Sequence, residues 1–210
     1  MAAGDIWDSF FLNKSSLTVG TDVDRDEPAW WAIKRGEVPD EKDLPIRLYA
    51  TYKDETFTKK LPELFSGGGG IKISPKLEAI FRRFNLGSAL ICPAQLFLHD
   101  RKTPVDQDLT IFGDWAKLQI LDPDQSKGLR GVSFTSLLPN PPPPDVWGAP
   151  YDPSDGDIAI APHDLGGLDI WSDKGLRGGL FFSDPLKQAL CDGGYARLFK
   201  FYKTKIITIH

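Results

Sequence analysis

The stretch "GGLFFSDPLKQALCDGG", residues 178–194, contains the local signals that decide the fold. Its residues 180–182 form a short apolar strand. Ser183 after them is a favoured helix N-cap, because its hydroxyl accepts a hydrogen bond from an unpaired amide of the first turn. Pro185 suits that turn, where its missing N–H costs nothing, and the closing glycine pair ends the helix. The stretch therefore predicts a strand that leads into a helix over 184–192.

The same order of strand, serine, proline, helix and glycine occurs in "GGIKISPKLEAIFRRFNLG", residues 69–87. Ser74 and Pro75 follow a strand at 71–73, and apolar residues then recur at helical spacing, which predicts a helix at about 74–85. Neither helix can bury its apolar side alone, so each must lie on a sheet. The chain is therefore predicted to be α+β, with a mixed or mostly antiparallel sheet and two pseudo-similar strand–helix–strand units.

The 210 residues suffice for one hydrophobic core, and we predict a single domain over 1–210. Strands are also expected at 29–36 ("AWWAIKRG"), at 45–53 ("PIRLYATYK") and, closing the second unit, at 198–201. By composition the domain divides into an acidic, aromatic part at 1–66, the first unit with further strands at 67–136, a proline-rich loop at 137–157 and the second unit at 158–210.

Composition and charge exclude several classes of protein. Hydrophobic residues make up 41% of the chain and aromatic residues 11%, which excludes a disordered chain. The net charge is −4, and the basic stripe that a nucleic-acid-binding protein needs does not occur. No apolar run approaches the roughly 18 residues of a membrane span, and no signal peptide is visible. We therefore expect a cytoplasmic protein without membrane insertion, with Cys92 and Cys191 as free thiols.

Candidate catalytic groups are few. The three histidines include His163, which is followed by Asp164, but Pro162 before the pair and two glycines soon after it indicate a turn. The glycines Gly67–Gly70 precede a strand instead of joining a strand to a helix, so they do not fit a dinucleotide-binding loop. No zinc-ligand spacing or nucleophile elbow occurs. We expect no catalytic residue, no metal and no cofactor.

The order of motifs along the chain resembles a family of bacterial immunity proteins. "LPELF" leads into "IKISPKLEAIFRRFNLG" and "CPAQLFLHDRKTP", and the chain closes on "GLDIWSDKGLRGGLFFSDPLKQALCDGGYARLFKF". This order is similar to the group called immunity protein 11, with its relative immunity protein 43, from polymorphic toxin systems. The resemblance covers about residues 61–203. It implies a non-catalytic protein, encoded beside a toxin, that binds and neutralises that cognate toxin.

An acidic and aromatic segment near the N-terminus is the candidate surface for binding the toxin. Acidic charge steers association with a basic target, and aromatic side chains are common anchors of protein interfaces. A solvated acidic loop beside two core tryptophans is the alternative explanation of the same segment. The candidate partner-binding residues are Asp22, Asp24, Asp26, Glu27, Trp30 and Trp31.

Two other functions remain open from the sequence. A small hydrolase would use His163, Asp164 and nearby carboxylates. A polyproline-displaying adaptor would use Pro141–Pro144, because four consecutive prolines favour the extended polyproline II conformation that SH3- and WW-type modules bind. Neither the identity of a toxin nor the oligomeric state follows from the sequence.

Overall fold

The structure is a computed structural model that describes residues 4–24, 26–53, 61–132, 145–161 and 165–207. Over these residues the chain is α+β, and its sheets are mixed but mostly antiparallel, as the sequence predicts. The helices, in chain order, are α1 (Pro28–Lys34), α2 (Pro75–Phe81), α3 (Asp184–Asp192) and α4 (Ala196–Phe199). Single 3-10 turns occur at Phe11–Asn13, Ser15–Leu17 and Glu41–Asp43.

The strands of the described residues are short. In chain order they are β1 (Ile6–Ser9), β2 (Thr21–Val23), β3 (Ile46–Ala50), β4 (Leu64–Gly67), β5 (Gly70–Ile73), β6 (Leu90–Phe97), β7 (Leu109–Gly113), β8 (Lys117–Leu118), β9 (Arg130–Gly131), β10 (Trp147–Gly148), β11 (Ala159–Ile160), β12 (Ile170–Asp173), β13 (Leu176–Arg177), β14 (Leu180–Ser183), β15 (Tyr202–Lys203) and β16 (Lys205–Ile206). Their sheets have the orders β2-β3-β6-β7-β5-β4, β15-β1-β14-β12-β8, β13-β10-β9 and β11-β16.

The chain forms two compact units, and neither is continuous in sequence. The central unit contains the described residues of 14–83 and 88–115, and the terminal unit contains those of 1–13, 84–87 and 116–207. The first strand–helix–strand unit lies in the central unit, and the second lies in the terminal unit. The composition boundaries do not follow this division, because β1 near the N-terminus pairs with β14 and β15 near the C-terminus.

The central unit is built around its six-stranded sheet. β3 and β6 pair in parallel, and every other neighbouring pair in this sheet is antiparallel. Alternate residues of β6, from Leu90 to Leu96, are buried in the core, as expected of a strand whose side chains alternate between two faces. Helix α2 packs on the other face, where the ring centroids of Phe81 and Phe112 lie 4.5 Å apart.

Both predicted serine caps are confirmed and have the same geometry. The Ser74 hydroxyl accepts a hydrogen bond from the amide of Leu77 at 3.3 Å, and the Ser183 hydroxyl accepts one from the amide of Leu186 at 3.3 Å. The helix predicted at 184–192 is confirmed as α3.

The predicted helix at about 74–85 extends too far toward the C-terminus, because α2 ends at Phe81. The amide of Arg83 bonds to the carbonyl of Ile80 at 3.1 Å, so the ladder tightens into a three-residue turn. The glycine at 87 has a left-handed φ of +61°, but it lies six residues beyond the helix. The apolar spacing therefore continues past the point where the backbone stops being helical.

The strand predicted at 29–36 is wrong, because these residues form α1 and the turn after it. Pro28 occupies the start of the helix, where its fixed φ is already helical. Ala29 and Ile33, four residues apart, both pack on the core of the central unit. The strand predicted at 45–53 is confirmed as β3.

The strand predicted at 198–201 is also wrong, because α4 occupies Ala196–Phe199 and β15 begins only at Tyr202. Phe199 is fully buried, and its ring lies 4.9 Å from Phe11 and 5.6 Å from Phe182 by centroid distance. A helical turn places this ring inside the aromatic cluster, which local strand propensity does not reveal.

The terminal unit is centred on β14, which pairs antiparallel with β1 on one side and β12 on the other. The first three residues of β14 are buried, and the ring of Phe181 stacks on Trp171 at 5.8 Å. The strand predicted at 180–182 is thus confirmed as part of β14. No helix in the described part of the chain has the length and apolar character needed to cross a membrane.

Candidate functional site

The four glycines Gly67–Gly70 form a tight hairpin between β4 and β5. The outer two pair with each other across the hairpin. Gly69 and Gly70 have φ values of +82° and +85°, in the left-handed region that other residues rarely occupy. The glycines are therefore required by the tight turn of this hairpin. They join two antiparallel strands, whereas a dinucleotide-binding loop joins a strand to a helix.

The hairpin is also where the two edges of the central sheet meet. The amide of Val19 donates to the carbonyl of Ser66 at 2.8 Å, and the amide of Gly68 donates to the carbonyl of Thr21 at 2.9 Å. A Cβ atom on Gly67 would lie 2.3 Å from the Val19 carbonyl oxygen. Glycine is needed here because the segment that leads into β2 lies directly against the hairpin.

Lys72 fixes the hairpin from inside the core. Its side chain is fully buried, and its Nζ donates to the carbonyls of Gly68 and Gly70 and to the Thr21 hydroxyl. These three acceptors match the three donors of an ammonium group. Burial lowers the pKa of Lys72 to about 7. The sequence pattern marked this lysine only as a strand residue, so its role as an internal tie was missed.

Helix α1 presents the two predicted tryptophans in different directions. Successive helical residues project about 100° apart, so Trp30 packs on the core while Trp31 turns outward. Trp31 is 49% exposed, which is unusual for so large an apolar side chain. The Lys34 ammonium lies over the Trp30 ring, 4.5 Å from its centroid.

A groove of about 800 Å³ runs between α1, β2 and the glycine hairpin. It brings together four of the six predicted residues, namely Asp22, Asp24, Trp30 and Trp31. Sequence reasoning missed its other lining residues, which are Val23, Lys34 and Gly67–Gly70. The hairpin lies some forty positions further along the chain, so no local pattern could have placed it beside the acidic segment.

The charge of the groove is mixed instead of purely acidic. The guanidinium of Arg101 donates to the Asp24 carboxylate at 2.6 Å and lies 4.0 Å from that of Asp22. It also stacks over the ring of Tyr49 at 4.6 Å. Burial, followed by a hydrogen bond to Asp24, raises the pKa of the Tyr49 hydroxyl. Asp24 is therefore largely neutralised by its neighbours, whereas Asp22 keeps more of its charge for a partner.

The other two predicted residues do not line the groove. Asp26 is exposed but lies outside it. Glu27 is only 5% exposed, immediately before α1, and its Oε2 lies 3.6 Å from the Nε of Arg47. Burial raises the pKa of Glu27, and the charge of Arg47 partly opposes this effect. Glu27 thus pairs from a buried position with the exposed Arg47 and presents no carboxylate at the surface.

Several predicted features lie outside the described residues or have no site around them. His163, Asp164 and Pro141–Pro144 belong to the ranges that the structure does not describe. Among the residues that it does describe, no group of three or more His, Cys, Asp or Glu side chains could hold a metal ion. Both cysteines are free, as predicted, and burial raises the pKa of the Cys92 thiol.

The terminal unit contains one buried acid that the sequence did not reveal. Asp8, in the middle of β1, is 1% exposed, and its Oδ1 has no hydrogen-bond partner within the described ranges. Burial raises the pKa of Asp8 to about 8, and the nearby charges of Asp155 and Asp157 add to this effect. The carboxyl group is therefore largely protonated at neutral pH.

Comparison with known protein families finds no family that matches this chain, and comparison with curated proteins finds no match either. The resemblance of the motif order to immunity proteins therefore stays a prediction from the residues themselves. The groove of the central unit is the structural feature on which a functional proposal can be based.

Proposed function

We propose that the chain is a non-catalytic immunity protein that binds and neutralises a cognate bacterial toxin in the cytoplasm of the producing cell. The motif order supports the class of protein, and the groove of the central unit supports the mode of action. The observation that carries the proposal is the exposed Trp31, which stands beside Asp22 at an open groove of about 800 Å³. The toxin would be the product of a neighbouring gene.

Trp31 has the properties of an interface anchor. Tryptophan is enriched among the few residues that contribute most of the binding free energy at protein interfaces. Its exposed surface is removed from water only if a partner covers it, which favours association. The carboxylate of Asp22 at the same groove would attract a basic segment of the toxin and raise the association rate.

The floor of the groove is preorganised for binding. The glycine hairpin is held by the hydrogen-bond contacts of the buried Lys72 Nζ with Gly68, Gly70 and Thr21, and by the backbone of Thr21. A surface that is already ordered loses little conformational entropy when it is covered, so more of the contact free energy appears as affinity. This rigidity suits a protein that blocks its partner by occupying a surface.

The net charge and the groove favour a protein partner over nucleic acid. The chain has a net charge of −4, and two carboxylates line the groove. These groups repel the phosphates of a nucleic acid, whereas the association of proteins with nucleic acids rests on Lys and Arg contacts to phosphates. The charge that Asp22 retains beside the exposed Trp31 fits a basic protein surface better than a nucleic acid.

The test is calorimetric titration of the purified chain with the catalytically inactive product of the neighbouring toxin gene. Trp31→Ala should raise the dissociation constant by about 30-fold or more, which corresponds to about 2 kcal/mol. Tyr52→Ala is the control, because Tyr52 is an even more exposed aromatic residue of the same unit, at 64%, and does not line the groove. Equal losses for both variants would contradict the proposed surface.

A second pair of variants tests the role of charge. Asp22→Asn should slow association and weaken its dependence on salt, with little change in the dissociation rate. Asp106→Asn removes one exposed carboxylate from the same unit outside the groove and should leave the rate unchanged. If the two variants slow association equally, net charge and not this groove governs the encounter.

A further inference from the structure

The terminal unit contains a row of three paired residues with arginine at both ends. In the sheet β13-β10-β9, Gly148 of the central strand pairs with Arg130 on one side and with Arg177 on the other. Residues paired across neighbouring strands point to the same face of the sheet. The two arginine side chains therefore stand on one face, on strands about 10 Å apart, with no side chain between them.

This pair of like charges faces a groove of about 500 Å³. The lining comprises Asn13, Arg130, Gly131, Val132, Gly148, Ala149 and Arg177, and it includes no acidic residue. Within the described ranges, the Arg177 side chain has no ion pair and no side-chain hydrogen bond. Like charges facing each other across strands are destabilising by themselves. Their placement at a shared groove is explained if an anion lies between them.

Two contacts hold the Arg130 side chain in a fixed position beside Gly148. Its Nε donates to the carbonyl of Ala149 at 2.8 Å, and its guanidinium lies 4.0 Å from the centroid of the Tyr151 ring. Tyr151 is itself 88% exposed, so this stacking occurs at the surface. A Cβ atom on Gly148 would lie 3.7 Å from the Nη2 of Arg130. The Nη2 of Arg130 therefore lies within contact distance of the position that a side chain at 148 would take.

We propose that Arg130 and Arg177 bind an oxyanion, a carboxylate or a phosphate group, over Gly148. A guanidinium presents parallel N–H donors that match two oxygens of such a group, and it stays charged at every physiological pH. The groove is large enough for a small organic anion. The missing side chain of Gly148 gives the anion room to approach both guanidinium groups. This site belongs to the terminal unit, and it does not depend on the proposed toxin binding.

The test is a titration of the ¹⁵N-labelled full chain with inorganic phosphate, with acetate and with chloride at equal ionic strength, followed by nuclear magnetic resonance. We expect saturable shifts of the Gly148 amide and of the arginine Nε–H signals with phosphate or acetate, and none with chloride. A response to phosphate alone identifies a phosphate ligand, and a response to acetate identifies a carboxylate. Shifts with both oxyanions that equal those with chloride would overturn the proposal.

Three variants locate the site. Arg177→Gln should raise the dissociation constant about tenfold or more, since one charged bidentate contact is lost. Lys174→Gln removes the same charge from the adjacent turn, outside the row, and should bind as the wild type does. Gly148→Ala keeps both charges, and its Cβ meets its neighbours at ordinary contact distances of 3.5 Å or more, so it should fold and still bind more weakly. Wild-type affinity in both Arg177→Gln and Gly148→Ala would refute the site.

Discussion

Replacement of Asp8 by asparagine tests whether a buried neutral acid makes the stability of the terminal unit depend on pH. Asp8 lies opposite Phe181 of β14 and Tyr202 of β15, in the middle of the sheet. Its pKa is raised to about 8, first by burial and then by the charges of Asp155 and Asp157. In the unfolded chain the same group has a pKa of about 4.

The sign and size of the effect follow from these two pKa values. Between pH about 4 and about 8 the folded chain holds a proton on Asp8 that the unfolded chain releases, so the free energy of unfolding falls as the pH rises. The stabilising contribution is complete below pH about 4 and is lost as the pH passes about 8. Four pH units correspond to about 5 kcal/mol, which is an upper bound for this single group. Asp8→Asn cannot titrate, and it should remove this slope.

The assay is urea unfolding of the wild type and of Asp8→Asn across this pH range, together with hydrogen exchange of the β14 amides, which report on the terminal unit. The comparison uses the slope with pH, because the asparagine amide also changes the local hydrogen bonds. Asp5→Asn is the control, since Asp5 is an exposed carboxylate beside the same strand, paired with Lys203 at 2.7 Å. An unchanged pH slope in Asp8→Asn would refute the assignment of a buried neutral acid.

Three further predictions concern stability. Lys72 has a folded pKa of about 7, below its unfolded value, so the wild type should gain stability between pH about 7 and about 10, and Lys72→Met should lose this gain in urea titrations. Gly67→Ala should cost about 1–3 kcal/mol of unfolding free energy, because its Cβ meets a backbone oxygen, whereas Gly113→Ala, in open space, should not show this clash. Leu186→Asp should unfold the terminal unit by circular dichroism, since this fully buried side chain would carry a charge; a folded variant, or equal unfolding of the surface control Gln188→Asp, would contradict this.

The sequence predicted those parts of the fold that are set by neighbouring residues. Ser74 and Ser183 each cap a helix through an amide three residues later, so the signal and the contact lie in one short stretch. The helical state of Phe199, by contrast, goes with its packing on distant residues such as Phe11, and α2 ends in a tight turn although the apolar spacing continues. Local propensity therefore misjudged them, because tertiary contacts decide the conformation of such short segments.

Sequence also predicted only those parts of the candidate groove whose residues are close together along the chain. Asp22, Asp24, Trp30 and Trp31 lie within ten positions of one another, so their proximity was visible in the sequence. Arg101, which neutralises Asp24, comes from a loop more than seventy positions away. The burial of Glu27 follows from the start of α1, which the sequence predicted as a strand.

The two strand–helix–strand units are only partly equivalent in the structure. α2 lies on the sheet of the central unit beside Phe112, and α3 follows β14 in the terminal unit. Each helix buries its apolar residues, but the chain leaves them differently, directly to β6 in one and through α4 in the other. The repeated motif therefore specifies a local scaffold, and the side chains proposed for binding, namely Asp22, Trp31, Arg130 and Arg177, lie outside both copies.

The most direct measurement of the proposed function is the growth of bacteria that express the neighbouring toxin gene, with and without this chain. We predict that cells without the chain stop growing, that the wild type and Tyr52→Ala restore growth, and that Trp31→Ala protects poorly at equal protein level. Normal growth of toxin-expressing cells in the absence of the chain would contradict the proposal that it is an immunity protein.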